Sequence, residues 1–120
     1  MTETILVVDN NDLVRHLVVT FVESAGYQAL EASTPEEAIA IARDHGSIDV
    51  LLTDVHLTSI TGVDVGRVLT QLFPSVRVLY MSGHGDVSWA GPFIGKPFTS
   101  EELAAALEAL TRDAVPAVES

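Results

Sequence analysis

Five residues of the types that metal and phosphoryl chemistry uses each lie at the end of a short apolar run. Asp9 and Asn10 follow "TILVV", Asp54 closes "VLLTD", Ser82 follows "VRVLYM" and Lys96 follows "FIG". A carboxylate at the end of an apolar run is costly to bury without a partner. Brought to one rim, these groups would partner one another: two carboxylates, a carboxamide, a hydroxyl and an ammonium. Two neighbouring carboxylates repel, and an oxygen-seeking divalent cation relieves that repulsion most simply. Mg2+ binds through one or two carboxylates, keeps several waters and is often completed by phosphate oxygens. Asp54 can act as a carboxylate nucleophile and carry a phosphoryl group as an aspartyl phosphate. Catalysis would then be positioning and charge neutralisation, with Lys96 and the Ser82 hydroxyl on separate phosphoryl oxygens.

The elements that must hold these residues can be read from periodicity. Residues 4–8, 27–32, 49–54, 76–81 and 93–95 read as strands, the last a short one. Between them, Leu13, Val14, Leu17, Val18, Phe21 and Val22 recur at helical spacing, with Gly26 as a stop. A second helix starts on Thr34 as cap, with Pro35 at its first position and Glu37 completing a capping box, and Gly46 closes it. "GVDVGRVLTQLF" reads as a third helix stopped by Pro74, and "TSEELAAALEAL" (99–110) as a last one. Strands alternating with helices predict a doubly wound five-stranded parallel sheet covered on both faces. In such sheets ligands sit beyond the carboxyl ends of the strands, where strand order reverses. That is where all five residues fall.

Composition narrows the function classes. The 120 residues fit one domain, expected over 1–111 with 112–120 as a tail or linker stub, and 48% are hydrophobic. Six Lys and Arg stand against seventeen Asp and Glu, a formal net charge of −11. Phosphate contacts need a cationic surface, so direct nucleic-acid binding is not expected. The chain has no Cys and therefore no disulfide framework or thiolate chemistry. Its apolar runs are too short to span a bilayer and no leader pattern opens it, so a cytoplasmic location away from the membrane is expected. The four His do not form a metal-ligand spacing.

In this order, and on these strand ends, the residues resemble the receiver domain of two-component response regulators, the chemotaxis-regulator-like type. The likeness runs from "ILVVDN" to "GKPFTSEELAAAL", nearly the whole chain, through "LLTD", Gly62, "YMSG" and "KPF". It implies a flavodoxin-like receiver fold with Asp54 as phosphoacceptor and Mg2+ as cofactor. Asp9, Asn10 and Asp54 would be metal ligands, and His56 would bind the metal through its backbone carbonyl. Ser82 and Lys96 would contact the phosphoryl group, and Phe93 would be the aromatic that swings as Ser82 moves. The phosphoryl group would come from a histidine kinase or a histidine phosphotransfer protein. Departures stand beside the likeness. Asn10 occupies a place where a second acid is usual, Thr58 replaces a common proline, and Thr61 replaces a common acid before Gly62. Residues 83–92 are too few for the usual loop and fourth helix, which is expected to be shortened or absent, with Trp89 near the rim. His56 and His84 would flank the phosphoryl group.

Plainer roles compete for some of these residues. Asp12 is expected to be a cap or first-turn residue, and Phe93 a packed core side chain first and a switch second. Three function classes remain: a phosphorylated signalling receiver, a pseudo-receiver that binds proteins without taking phosphate, and an enzyme or flavodoxin-like binder. A hydrolase would want a second acid two residues after Asp54, where His56 stands. A nucleotide or flavin binder would want a phosphate-cradling loop after the first strand, where "DNND" repels anions. The non-enzymatic receiver is the expected reading.

Overall fold

The computed structural model describes residues 3–55, 62–82 and 92–112. Five strands form one parallel sheet: β1 (Thr4–Val8), β2 (Gln28–Ala32), β3 (Val50–Asp54), β4 (Arg77–Ser82) and β5 (Phe93–Gly95), in the order β2-β1-β3-β4-β5. Between and after them come α1 (Asp12–Ser24), α2 (Pro35–His45), α3 (Gly62–Leu72) and α4 (Ser100–Arg112). This is the doubly wound sheet that the alternation predicts, and strand order reverses between β1 and β3.

Central strands β1 and β3 are buried at every position, so their residues divide between two cores by the two-residue alternation of a strand. On one face Ile5, Val7, Val50, Leu52, Leu79 and Met81 pack with Val18 and Val22 of α1 and Leu103 and Leu107 of α4. On the other, Leu6, Val8 and Leu51 pack with Ala38 and Ala42 of α2 and Val65 and Leu69 of α3. A parallel sheet needs both layers because neither of its faces is polar. Truncating a central side chain such as Leu52 to Ala would cost about 2–5 kcal/mol.

Local chemistry sets the helix ends. Asn11 caps α1, its side-chain oxygen accepting from the Val14 N–H at 3.0 Å, so Asp12 is a first-turn residue. Thr34 accepts from the Glu37 N–H at 3.1 Å. Glu37 reaches back one residue further than a standard capping box, to the Ser33 N–H at 2.6 Å. Thr99 and Glu102 form the reciprocal box at the start of α4, at 3.1 and 2.9 Å. That helix continues to Arg112, past the expected end at 110, where the Thr111 hydroxyl bonds back to the Leu107 carbonyl at 3.0 Å. Among the described residues no helix is long and apolar enough to cross a membrane. The expected shortening of a helix between β4 and β5 concerns residues 83–91, which lie outside the described residues.

Candidate functional site

The site forms at the carboxyl ends of β1, β3, β4 and β5. Asp9, the first residue beyond β1, is fully buried, and each of its polar atoms is engaged. Its N–H donates to the Ala32 carbonyl at 3.2 Å, continuing the β1–β2 ladder by one step. Its carbonyl accepts from Arg15 Nη1 at 3.0 Å, and Oδ1 accepts from the Asn11 N–H at 2.9 Å. Oδ2 accepts from Lys96 Nζ at 2.8 Å. The same ammonium lies 3.5 Å from Asp54 Oδ2. Lys96 therefore bridges two carboxylates that would otherwise repel each other at close range.

Strand pairing explains how the bridge is held. Asp54 ends β3, lies opposite Met81 of β4, and has a side chain only 13% exposed. Ser82 ends β4, is fully buried, and accepts from the Lys96 N–H through its carbonyl at 2.8 Å. That bond fixes the root of the lysine beside the serine. The Lys96–Pro97 peptide is cis. Asp9, Asp54 and Lys96 are thus brought into contact, Ser82 lies on the strand between the last two, and Asn10 follows Asp9 on the exposed side.

Among the described residues, two carboxylates and one ammonium meet at this corner. The corner's metal-donor atoms are all oxygens, which suits a hard cation such as Mg2+ and not a soft transition metal. Among the described residues no three His, Cys, Asp or Glu cluster into a metal cage. A cation here would therefore rest on two carboxylates, neutral oxygens and water, the style in which Mg2+ binds.

One expectation needs correcting. Phe93 is not packed in the core: it opens the short edge strand β5 and is 37% exposed, because its neighbour Ile94 takes the core-facing position there. His56, Thr58, Thr61, His84 and Trp89 lie outside the described residues.

The structure adds two features that periodicity did not supply: the anchoring of Arg15 and the exposure of Leu13 and Leu17. Arg15 holds the loop after β1 with a side chain only 11% exposed, and the Glu31 carboxylate is the chief cause that raises its pKa above the ordinary arginine value. Leu13 and Leu17 share the helical spacing of the core positions of α1, yet they are 83% and 53% exposed. The apolar arc of α1 is wider than the sheet can cover, and that excess width is the sequence signal. Leu17 borders a groove of about 320 Å3 between α1 and residues 96–98, with Val14, Val18, Phe21, Pro97 and Phe98. Lys96 also lines this groove, so the apolar patch adjoins the charged corner.

Comparison with known proteins gives a consistent match. The family model described as the response regulator receiver domain matches residues 5–108. The phosphate regulon transcriptional regulatory protein PhoB of Pseudomonas aeruginosa is 30% identical over 95% of this chain and 54% of its own length. The sensor kinase CckA of Brucella abortus is 29% identical over 84% of this chain and 12% of its own length. The chain thus spans about half of the first protein and a small part of the second. The crystal structure of a response regulator receiver protein from Sinorhizobium medicae superposes with a TM-score of 0.85 at 27% identity, covering 94% of this chain and 97% of that one.

Proposed function

The chain belongs to the response regulator receiver family, and we propose on that footing that it is a phosphoacceptor whose acceptor group is the Asp54 carboxylate. Receiver domains are signalling modules of two-component systems, typically bind Mg2+ at the phosphorylation site, and interact with histidine kinases. The observation that carries the reading for this chain is the single ammonium of Lys96 between Asp9 and Asp54, 2.8 and 3.5 Å away.

In the proposed reaction an Asp54 oxygen forms a bond to the phosphorus of a phosphohistidine. The P–N bond breaks, and its electron pair stays on the imidazole nitrogen, which takes a proton from solvent. Lys96, already beside Asp54, offsets the charge that arrives on the phosphoryl oxygens. The Ser82 hydroxyl, at the end of the neighbouring strand, donates to another of those oxygens. Mg2+ held by the oxygens of Asp9, Asn10 and Asp54 would neutralise the same group and orient it. Phe93, exposed on the edge strand, follows the Ser82 hydroxyl when that group turns toward phosphate.

The phosphodonor is a histidine kinase or a histidine phosphotransfer protein, and it docks on the patch formed by Leu13, Leu17 and the groove beside them. Exposed leucines around an apolar groove favour a protein partner with an apolar face of its own. The net charge of −11 disfavours nucleic acid as a direct ligand.

The test is phosphorylation with a small phosphodonor and Mg2+, read by intact mass. One phosphoryl adduct on the wild type and none on Asp54→Asn supports the reading. Mg2+ binding without any adduct would instead favour the pseudo-receiver, a protein-interaction module that does not take phosphate. Leu17→Asp should slow transfer from a cognate kinase at least tenfold while leaving the small-donor reaction unchanged. Equal slowing of both would place the leucine in the fold and not in the docking surface.

A further inference from the structure

Arg15 carries an inference that rests on the reading just given and extends it. Its planar guanidinium makes three contacts at once. Nη1 donates to the Asp9 main-chain carbonyl at 3.0 Å, Nε donates to Glu31 Oε1 at 2.9 Å, and Nη2 lies 2.9 Å from Asp12 Oδ1. Glu31 lies on β2 and Asp12 in the first turn of α1, so the fork ties two elements to the one carbonyl between the carboxylate of Asp9 and the carboxamide of Asn10.

We propose that Arg15 is a positioning residue for the Mg2+ and phosphoryl pocket, acting by fixing the peptide plane that joins Asp9 to Asn10. That plane lies where the chain leaves the sheet. The Asp9 N–H still belongs to the β1–β2 ladder, but Asn10 is exposed and no ladder continues beyond it. Beside the Asn11 N–H bond to Asp9 Oδ1, the guanidinium is what holds this carbonyl, and with it the direction in which Asn10 offers its oxygen. Mg2+ tolerates little departure from octahedral geometry, so a few tenths of an ångström in that plane matter to it. Groups that orient metal ligands without touching the metal typically change affinity 10–100-fold when removed.

A plain surface ion pair is the competing account, and such pairs contribute little. Two observations count against it. One contact goes to a main-chain carbonyl of a site residue, and the Arg15 side chain is only 11% exposed. A lysine cannot replace the fork, because its single ammonium cannot reach three acceptors in a fixed plane.

Electrostatics and positioning predict opposite signs, and that makes the proposal testable. Arg15→Gln removes a positive charge and frees the Asp12 and Glu31 carboxylates, so charge alone would tighten Mg2+ binding. Loss of positioning weakens it. The experiment titrates Mg2+ into the wild type, Arg15→Gln and Arg15→Lys, following the Asn10 and Asn11 amide resonances. Exchange of the Asn11 amide is measured in Mg2+-free buffer, and urea midpoints are taken alongside. Both variants are expected to bind Mg2+ about tenfold more weakly. In both, the Asn11 amide, which donates to Asp9 Oδ1, should exchange faster while amides of β1 and β3 do not.

Tighter or unchanged Mg2+ binding in Arg15→Gln, or wild-type affinity in Arg15→Lys, overturns the proposal and leaves the phosphoacceptor reading intact. If the wild type shows no Mg2+ response that Asp54→Asn removes, the metal site itself fails and the positioning role fails with it. Should Arg15→Gln not fold, Arg15→Lys alone decides, since it preserves the charge.

Discussion

Strand β3 has an aspartate at each end, and the two are used in opposite ways. Asp49, just before β3, accepts from the Thr4 N–H at 2.7 Å through Oδ2, and its own N–H donates to the Thr4 carbonyl at 3.0 Å. Its carbonyl accepts from the Arg77 N–H at 3.0 Å, so one residue staples the starts of β1, β3 and β4. Asp54, at the other end, shares an ammonium with Asp9. A backbone N–H is fixed by the sheet and cannot be exchanged for another partner without breaking it. An ammonium on a four-carbon stem can move, and its place can be taken by a cation or shared with a phosphoryl oxygen. Under the proposed function, what separates the two acids is that the ammonium beside Asp54 can move, whereas the backbone partners of Asp49 cannot.

The largest test of that contrast compares Lys96→Ala with Asp49→Ala. Without Mg2+, Lys96→Ala leaves Asp9 buried with its main charge partner gone, and should cost about 3 kcal/mol in urea unfolding. Saturating Mg2+ should restore part of that loss. Asp49→Ala should cost about 1–2 kcal/mol through the abandoned Thr4 N–H, and Mg2+ should restore none of it. Identical responses to Mg2+ in the two variants would erase the distinction between the ends.

Gly66, in α3, offers a control away from both ends. A Cβ there would lie 2.8 Å from the Tyr80 hydroxyl oxygen, so Gly66→Ala should destabilise by about 2 kcal/mol through overpacking. Burial raises the Tyr80 pKa, so the phenol stays neutral and the clash is steric, not ionic. Adding Tyr80→Phe removes the nearest atom and should return most of the loss. Mg2+ affinity should not change in either variant. If it falls with stability, the Lys96 comparison must be corrected for general loosening.

Asn10→Asp sharpens the pocket side of the comparison. A third negative charge beside a cation site should tighten Mg2+ binding about tenfold, about 1.4 kcal/mol, with waters still completing the coordination. An affinity equal to wild type by calorimetry would put Asn10 outside the metal's reach.

The smallest effect concerns Glu37, a third kind of acid at the carboxyl end of the sheet. The Ser33 N–H, aided by the Ser33 hydroxyl, holds its carboxyl below the usual glutamate range. A group with a lowered folded pKa stabilises fully above its unfolded pKa and loses that contribution as pH falls through the folded value. Wild-type stability should therefore decline on the acid side more steeply than that of Glu37→Gln, while the two respond alike to Mg2+. Parallel acid profiles would show that this bond contributes nothing in solution.

Much of the molecule follows from sequence by local rules. The apolar runs of β1 and β3, the capping residues Asn11, Thr34 and Thr99, and the left-handed Gly46 at the end of α2 each act within a few residues. Alternation of strands with helices then compels a covered parallel sheet, and such a sheet puts Asp9, Asp54, Ser82 and Lys96 on one rim. What the rim residues do to each other is decided only in three dimensions. Lys96 meets Asp9 across 87 positions of sequence, a contact set by the order β2-β1-β3-β4-β5 and by no property of either neighbourhood. Arg15 reaches Glu31 because β2 lies beside β1, and Leu13, Leu17 and Phe93 remain exposed because neighbouring positions already fill the sheet's faces. Periodicity and capping act through a few bonds of backbone, whereas the partner of a charge and the cover over an apolar side chain depend on which strands lie side by side.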